Sequence, residues 1–318
     1  MFQLTRVSTD EEDEEVINRI MFNSEIAVNN AIDLFKNVLI LYNTNIDDNT
    51  LGMVGMVANE MYRNFGFLDS EDENGNVIKA KYPTFQHLKN TDFPILSDFA
   101  NTLLKIQAEF EQGGKTKFAD ALTDLMMKIT PMLQEHRHLF DGHTTADIEV
   151  RKGHIIGIGT NHLYLKTPNV RNALHYIIYN QAFNYCLDRN VRSVFMFDEA
   201  HTTMKDEKMV DLLAQFTRRN RKYYNLNVLG TQEPLDMAGE KQQIINETTY
   251  IICKMLTKQN AVVKLEEMLG IDERDCQEIL SFEQGDSYFK CGPKKTFFMH
   301  TLLTLNEERA KGNNYYNA

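Results

Sequence analysis

The chain has 318 residues, 42% of them hydrophobic, and a formal net charge of −11 at pH 7. A chain of this length and hydrophobic content buries a sizeable core, as one large domain or two smaller ones, which excludes a disordered chain. The acidic balance argues against a surface devoted as a whole to nucleic-acid binding, although a local basic patch remains compatible with it.

The cysteines and the N-terminus indicate the compartment. The four cysteines contain no C-x-x-C pair, which favours buried thiols in a reducing compartment over a disulfide framework or a zinc ribbon. No stretch approaches the ~18 consecutive apolar residues of a membrane span, and the early run "STDEEDEE" is acidic where a signal peptide is basic and then apolar. The sequence therefore predicts a cytoplasmic protein, peripheral on the inner face of the cell membrane at most.

The first half of the chain is predicted to be mainly helical. Residues 1–24 contain the strand-like run "FQLTRV" and an acidic turn that caps a short helix, and we interpret them as the start of an α/β core. Apolar residues then recur at helical spacing through most of 25–146, which we interpret as a helical subdomain. Helices are predicted over 25–42, 48–67 and 118–129, with further helix starts at 83–84 and 97–98.

From residue 147 to residue 318 short β-rich runs alternate with helices. This alternation predicts an α/β core with a mostly parallel sheet that helices cover on both faces. Strands are predicted at 154–160, 191–197, 225–231 and 249–255, with a closing pair at 285–290 and 296–302. Helices are predicted at about 169–187, around 209–216, and at about 239–246 and 259–268.

Two adjacent acids follow one of these strands. In "VFMFDEAH", at 194–201, four apolar residues run into Asp198 and Glu199. At the carboxyl end of a buried strand in a nucleotide-hydrolysing core, an aspartate holds Mg²⁺, usually through water, and an adjacent glutamate polarises the water that attacks the γ-phosphate of ATP. An acid pair also occurs at ordinary helix N-termini, where it interacts favourably with the helix dipole. Both interpretations stay open on the acids alone.

A polar pair follows the next strand along the chain. The run "VLGTQ" ends in Thr231 and Gln232, and the carboxyl ends of neighbouring parallel strands meet at the same edge of a sheet. Thr231 and Gln232 are therefore candidate nucleotide-binding residues, and Gln232 is a candidate sensor of the γ-phosphate. The alternative is that both side chains only satisfy backbone groups at the strand end.

A basic cluster lies between the acids and the polar pair. The run "TRRNRK" ends a predicted helix and holds Arg218, Arg219, Arg221 and Lys222. Basic residues at a helix C-terminus are ordinarily explained by the helix dipole, but four cations in five residues exceed that need. An arginine supplied across a subunit interface stabilises charge on a transferring phosphoryl group, and contact with a DNA backbone is the competing use.

A phosphate-binding loop of the form G-x-x-x-x-G-K-[ST] should precede these residues, behind a strand. The one G-K-[ST] match, "EFEQGGKT" at 109–116, has Glu109 where the first glycine is needed and follows a predicted helix, so we do not expect it to bind phosphate. Three histidines in "EHRHLFDGHT" at 135–144 lack the spacing and the additional ligands of a metal site.

Four stretches of the chain resemble a known family. They are "LFDGHT" at 139–144, "SVFMFDEAH" at 193–201, "FTRRNRKYYNLNVLGTQEPLDM" at 216–237 and "GDSYFKCGPKKTFFMHTLLTLNEE" at 285–308. These stretches are similar to the ATPases of conjugative type IV secretion, the TraC/TraE-like and VirB-four-type proteins, and the likeness spans most of the chain.

The resemblance implies a RecA-like P-loop NTPase core with an inserted α-helical subdomain. It implies ATP turnover with Mg²⁺ that powers pilus assembly, substrate export and DNA transfer. It also implies self-association, up to a hexamer, with other secretion-system components at the cytoplasmic face of the membrane. By this resemblance Asp198 matches the magnesium-holding acid, Glu199 the catalytic acid and Gln232 the polar sensor. Arg221 and Arg218 match the candidate arginine fingers.

The chain departs from the family because the phosphate-binding loop of the relatives is missing. We therefore expect a C-terminal fragment whose core is incomplete at its N-terminus, with the loop either encoded before Met1 or lost in a truncated paralogue, and we expect this chain alone to be inactive. Two alternatives share the same residues. One is a DNA-pumping motor of the coupling-protein or HerA/FtsK kind, and the other is a non-hydrolysing interaction module.

Overall fold

The computed structural model of the chain places its residues in two compact units. It describes residues 2–5, 16, 20–43, 45–72, 74–145, 155–186, 192–200, 204, 206–232, 239–256, 259–292, 295–302, 304 and 307. The helical unit comprises 1–195 and 220–226, and the sheet unit comprises 196–219 and 227–318. The predicted division at residues 24 and 146 stays a prediction.

The helical unit contains six helices among its described residues. They are α1 (Ser24–Tyr42), α2 (Asp48–Asn64), α3 (Leu96–Gln112), α4 (Thr116–Gln134), the single turn α5 (Arg137–Phe140) and α6 (Pro168–Cys186). A small antiparallel hairpin, β1 (Ser70–Glu71) with β2 (Val77–Ile78), follows α2 and contains the Asn-Gly pair at 74–75. Short 3₁₀ helices lie at Asn90–Asp92, Asn161–Leu165 and Arg221–Tyr223.

Side-chain caps explain where the first two helices begin. The Asn23 side chain accepts a hydrogen bond from the amide of Ile26, and the Asp47 carboxylate accepts hydrogen bonds from the amides of Asn49 and Thr50. These are the amides that an α-helix leaves without a partner in its first turn. The same hydrogen bonds to the folded backbone lower the pKa of the Asp47 carboxyl.

An aromatic cluster forms part of the core of the helical unit. The ring of Phe35 packs edge-on against the rings of Phe2 and Phe99, at centroid distances of 4.7 and 5.0 Å. The buried Tyr62 hydroxyl donates a hydrogen bond of 2.7 Å to the carbonyl of Phe2. Since every ring of this cluster is buried, burial of apolar area ties residues near the N-terminus to α1, α2 and α3.

The sheet unit is an assembly of short strands and helices. Its strands are β3 (Val194–Phe197), β4 (Leu226–Leu229), β5 (Tyr250–Cys253), β6 (Asp286–Cys291) and β7 (Lys295–His300), of which β3 and β4 each begin within the helical unit. Its helices are α7 (Glu207–Asn220), α8 (Gln242–Asn246), α9 (Gln259–Leu269) and α10 (Glu273–Leu280), with a 3₁₀ helix at Gly239–Lys241.

The strands form one parallel pair and one antiparallel sheet. β3 pairs with β4, and their hydrogen bonds from Leu226 N to Ser193 O and from Gly230 N to Phe197 O keep the same offset in sequence, so the two strands run parallel. β6 pairs antiparallel with both β5 and β7, with Cys253 opposite Tyr288 and Asp286 opposite His300. The chain is thus α/β, and a mostly parallel sheet is not confirmed among the described strands.

Most predicted elements that fall on described residues are confirmed, and three are wrong. Residues 2–5 of the predicted strand "FQLTRV" form no strand, and the acidic turn that follows it lies outside the described residues. Residues 155–160 form no strand but an exposed irregular segment, in which Ile155 is fully exposed. Glycines alternate with the isoleucines here and supply no side chain for packing, which weakens a strand. The predicted helix start at 83–84 is also wrong, because Pro83 accepts a hydrogen bond from Ser24 N and Thr84 forms an isolated bridge with Asn23.

Two further observations concern membrane-spanning helices and the cysteines. No helix in the part of the chain that the structure describes is long and apolar enough to cross a membrane. All four cysteines are free thiols; the prediction that they are buried is confirmed for three of them, whereas Cys291 is half-buried. Burial raises the pKa of the Cys253 thiol to about 11.

A buried histidine makes the helical unit sensitive to acid. His175 in α6 is 2% exposed, and its Nε2 has no hydrogen-bond partner among the described residues. Burial, and then the positive charge of Arg171, lower the pKa of His175 from 6.5 to about 4. As the pH decreases, His175 is protonated in the unfolded chain before it is protonated in the folded chain. The free energy of unfolding is therefore unaffected by His175 above its unfolded pKa of 6.5, and it decreases as the pH falls from 6.5 to about 4.

We expect His175→Phe to remove this acid sensitivity. At pH 5 the free energy of unfolding of the wild type should lie about 1 to 2 kcal/mol below its value at pH 7 through His175 alone, and the variant should lack that part of the decrease. Urea unfolding at the two pH values measures the difference, with His138→Phe at an exposed position as the control for the substitution itself. An equal decrease in the wild type and in His175→Phe would contradict the assignment.

Candidate functional site

The acid pair lies directly behind β3. The strand ends at Phe197, and Asp198 and Glu199 form the bend that follows it. Asp198 is exposed, and its Oδ1 accepts a hydrogen bond of 3.1 Å from the amide of Glu199. Glu199 has a φ of +51°, in the left-handed region that residues with a Cβ rarely adopt. The bend turns the Glu199 side chain toward the end of β4.

The polar pair lies directly behind β4, beside the acids. Gly230 N donates a hydrogen bond of 2.8 Å to Phe197 O, and Gly230 O accepts one of 2.9 Å from Ala200 N. The Gln232 side-chain amide then donates a hydrogen bond to the Glu199 carboxylate. The structure therefore brings Glu199 and Gln232 into contact, with Asp198 next to them, at the carboxyl end of the parallel pair.

Gly230 lies at the end of β4, next to Phe197 and Asp198. A Cβ at this position would lie 3.5 Å from Phe197 O and 3.6 Å from Asp198 Oδ1, which is ordinary contact distance, so a larger side chain would reach into the space between them. Gly230 is a site residue that our sequence reasoning missed. The signal was its place directly before Thr231, in "VLGTQ".

Thr231 and Gln232 also line a cavity of about 650 Å³ within the sheet unit. Both residues are exposed. The remaining walls come from Leu229 and Gly230, from α8 and the residues after it, from β5 with the three residues that follow it, and from α9. The cavity gives the candidate site a mostly apolar flank on the side of β4 and β5.

The two candidate arginines are placed differently. Arg218, in the last turn of α7, has its Nε 3.4 Å from Glu247 Oε1 and donates a hydrogen bond of 3.4 Å to Gln243 Oε1. Its side chain is 52% exposed, so this pair is a weak surface interaction. Arg221 begins the 3₁₀ helix Arg221–Tyr223, and its side chain lies outside the described part of the chain.

The G-K-[ST] match follows a helix, as predicted, and lies at the turn between α3 and α4. Glu109 is within α3, Gly113 ends that helix, and Thr116 begins α4, so no strand leads into the turn. His136 pairs through Nδ1 with the Tyr42 hydroxyl at 2.8 Å. No group of three or more His, Cys, Asp or Glu side chains is placed to hold a metal ion within the ranges given above.

Two further polar residues fix the positions of helix α3 and of the strands β3 and β4, and the sequence analysis predicted neither of them. Asp141, in "LFDGHT", accepts hydrogen bonds from the amide and the hydroxyl of Ser97 at 2.8 and 2.5 Å and so caps α3. Asn225 accepts a hydrogen bond of 3.0 Å from Ser193 N and donates one to Cys186 O, which fixes the start of β4 beside the start of β3. In the sequence, the signal for Asp141 was an Asp directly before a glycine, and the signal for Asn225 was an Asn directly before a predicted strand.

Comparison with known proteins identifies the fold. The chain is similar to VirB4 of Thermoanaerobacter pseudethanolicus, with a TM-score of 0.70 and 16% sequence identity over 89% of this chain and 72% of that chain. The bacterial conjugative coupling protein TrwBdeltaN70, in its unbound monoclinic form, aligns with 14% identity over 86% of this chain and 68% of that chain, but its TM-score of 0.43 is too low to support an argument. No protein-family model and no curated protein matches the chain.

The likeness to VirB4 establishes that this chain has the fold of that protein over most of its length. It confirms, at the level of the fold, the resemblance to the conjugative type IV secretion ATPases that the sequence motifs indicated. The roles of the individual site residues stay predictions.

We expect the backbone of Glu199 to favour glycine. Glu199→Gly and Glu199→Ala both remove the carboxylate and its contact with Gln232, but only glycine adopts a φ of +51° without steric cost. Glu199→Gly should therefore be more stable than Glu199→Ala by about 1 kcal/mol in urea unfolding, although glycine normally destabilises a folded chain. Equal stability of the two variants would contradict the left-handed conformation.

Proposed function

We propose that this chain is the motor part of an ATPase of conjugative type IV secretion, with a RecA-like core and an inserted helical subdomain. The observation that carries the proposal is the contact between Gln232 and Glu199 behind two parallel strands, with Asp198 beside them. Supporting it is the fold of the chain, which is that of VirB4. The intact protein energises pilus assembly, substrate export and DNA transfer from the cytoplasmic face of the membrane.

The three residues divide the work of hydrolysis. ATP supplies the phosphoryl group when bound, and Mg²⁺ neutralises the charge of the phosphates. Asp198, exposed behind β3, is the residue that would hold the cation, usually through water. Glu199 accepts a proton from the attacking water. The side-chain amide of Gln232 donates a hydrogen bond to the Glu199 carboxylate and so fixes the direction of that carboxylate.

The described residues fit an ATP site in part. They supply the acids, the polar pair and an exposed arginine, and their one G-K-[ST] match lies in a helix–turn–helix of the helical unit. A triphosphate is normally held by backbone amides of a glycine-rich loop at a helix N-terminus. We therefore infer that the loop comes from polypeptide outside these 318 residues and that this chain alone turns over little ATP.

The arginines act between subunits in this proposal. Arg218 is held by a surface pair with Glu247, worth at most about 1 kcal/mol, and by a long hydrogen bond to Gln243. Arg221 directly follows α7, whose last turn holds Arg218 and Arg219. An arginine from a neighbouring subunit would face the phosphates from the side that the acids leave open, which accounts for self-association of the active form.

A second function has a specific observation in its favour. Because the described residues contain no loop of the phosphate-binding kind, a non-hydrolysing interaction module that keeps the fold of the motor is the alternative. Binding of a non-hydrolysable ATP analogue with Mg²⁺ to the complete gene product separates the two functions. Saturable binding supports the ATPase, whereas no binding at millimolar analogue supports the module. Turnover that DNA stimulates would instead favour a DNA-pumping motor.

We expect Glu199→Gln to retain nucleotide binding and to lose turnover. The amide keeps the size of the side chain but cannot accept a proton, so kcat of the complete gene product should decrease by about 100-fold or more, with analogue affinity changed by less than about twofold. Glu207→Gln, at an exposed acid in the first turn of α7, is the matched control. An unchanged kcat would remove Glu199 from its assigned role.

We expect Arg221→Ala to reduce turnover only where subunits associate. At protein concentrations that give an oligomer, kcat should decrease by about tenfold or more, because the variant lacks a guanidinium for the neighbouring site. Turnover measured across the dilution series that dissociates the oligomer checks this expectation, and Lys222→Ala is the control on the same short helix. An equal loss in the dilute monomer would indicate a role within one subunit.

A further inference from the structure

A second cavity, of about 350 Å³, lies within the helical unit. Its walls come from the start of α1, the end of α2, residues 67–69 before the β1–β2 hairpin and residues 80 and 83 after it. Residues 43–47 alone connect α1 to α2, and the start of α1 and the end of α2 line one cavity, so the two helices are antiparallel neighbours. We call this cavity the helix-pair pocket.

Two opposite charges line the helix-pair pocket without pairing to each other. Glu25 lies in the first turn of α1, and Arg63 lies in the last turn of α2. The Glu25 carboxylate has no ion pair or hydrogen bond with any residue that the structure describes. Arg63 pairs with Glu60 at 3.4 Å, and because these side chains are 43% and 38% exposed the pair is weak. One negative and one positive group are therefore available to a ligand.

Two asparagines of the same helices add neutral polar groups to the pocket. Asn29 lies one turn after Glu25, and Asn59 lies one turn before Arg63. Neither carboxamide forms a hydrogen bond with a described residue, although Asn59 is half-buried. A carboxamide both donates and accepts hydrogen bonds. The two asparagines can thus bind an ammonium group as well as a carboxylate.

The remaining lining is either already bonded or apolar. Asp69, the second acid of the pocket, accepts hydrogen bonds of 2.7 Å from Lys79 Nζ and 2.8 Å from Ala80 N, so the lysine balances its charge. Phe67 is 1% exposed, and its ring stacks on that of Phe93 at a centroid distance of 5.5 Å. A fixed apolar surface therefore adjoins the free polar groups.

This combination of groups selects one class of small molecule. An anion without a positive charge would be repelled by the Glu25 carboxylate, and a cation without a negative charge would be repelled by Arg63. A zwitterion matches both charges, and the carboxamides add hydrogen bonds to its ammonium and carboxylate groups. The adjoining apolar surface accommodates an aliphatic side chain. A volume of about 350 Å³ is in the range of small-molecule sites.

We propose that the helix-pair pocket binds a free α-amino acid with an aliphatic side chain. Arg63 holds the α-carboxylate, and Glu25 holds the α-ammonium group. Asn29 and Asn59 complete the hydrogen bonds of both groups, and the aliphatic side chain contacts Phe67. The site lies within the helical unit and uses none of the residues assigned to ATP hydrolysis, so it is independent of the proposed function.

Isothermal titration calorimetry of this chain with L-leucine tests the proposal. We expect saturable binding with a Kd between about 10 μM and 1 mM. Isopentylamine is leucine without the carboxylate, and 4-methylpentanoate is leucine without the ammonium group. Each should bind at least about tenfold more weakly, because each leaves one charge of the pocket unpaired. Affinity of either analogue equal to that of leucine would contradict a site built for two charges.

Matched substitutions locate the binding. Arg63→Gln and Glu25→Gln should each weaken leucine binding by about tenfold or more. Glu60→Gln, which removes the surface partner of Arg63 without changing the lining of the pocket, should leave affinity within about twofold or improve it. Both residues of the pocket that are changed are exposed, so we expect the variants to fold, and circular dichroism checks this.

The analogues distinguish loss of one charge from general damage to the pocket. In Arg63→Gln the preference for leucine over isopentylamine should fall to about twofold or less, whereas the preference over 4-methylpentanoate should remain. Retained leucine affinity in folded Arg63→Gln would overturn the proposal. So would the absence of saturable binding of L-leucine, L-valine and L-alanine up to about 10 mM. ATP plays no part in these measurements, so their failure is distinct from failure of the ATPase proposal.

Discussion

The parallel pairing of β3 with β4 is the constraint on which the candidate site depends. The hydrogen bond from Gly230 N to Phe197 O fixes the register of the two strands, and this register determines which side chains meet behind the strand ends. A slip by one residue would turn Gln232 to the other face of the sheet and separate it from Glu199. Backbone hydrogen bonds, rather than any attraction between the acids and the amide, thus bring the polar side chains together.

Neighbouring groups support this register from both ends. The Asn225 side chain bonds to Ser193 N before the strands begin, and the bond from Ala200 N to Gly230 O lies where they end. The pair is therefore held by polar groups at its two ends and by backbone pairing along its length. Such support matters because a two-stranded pair is marginally stable alone.

The helices of this chain could be predicted well because their signals are local. Apolar spacing predicted α2, which begins behind the capping Asp47, and it predicted the start of α3 at 97–98, one residue from the observed start. The contact of Glu199 with Gln232 could also be anticipated, since it needs only two parallel neighbours with polar residues behind them. In each case the physics acts within one element or between two adjacent ones.

The features that could not be predicted depend on which segments pair with each other in space. The local sequence of a strand does not determine its pairing partner. Ile155 and Ile156 have strand-forming side chains, yet their segment pairs with no strand among the described residues and stays exposed. β5 looks like another parallel strand in the sequence, but its observed partner is the antiparallel β6. The partner of Arg218, Glu247, lies on a segment that no sequence spacing links to α7.

Two unusual features of this chain lie close together. Glu199 has a left-handed backbone conformation that costs about 1 kcal/mol, and Ile252 of β5, on the wall of the cavity beside Gln232, is an exposed apolar residue. A sequence selected only for stability would place glycine at 199. The strained acid accepts a hydrogen bond from Gln232, and Gln232 lines the same cavity. In the proposed function the Glu199 carboxylate must point in one fixed direction, and this requirement explains why the chain keeps an acid in this conformation.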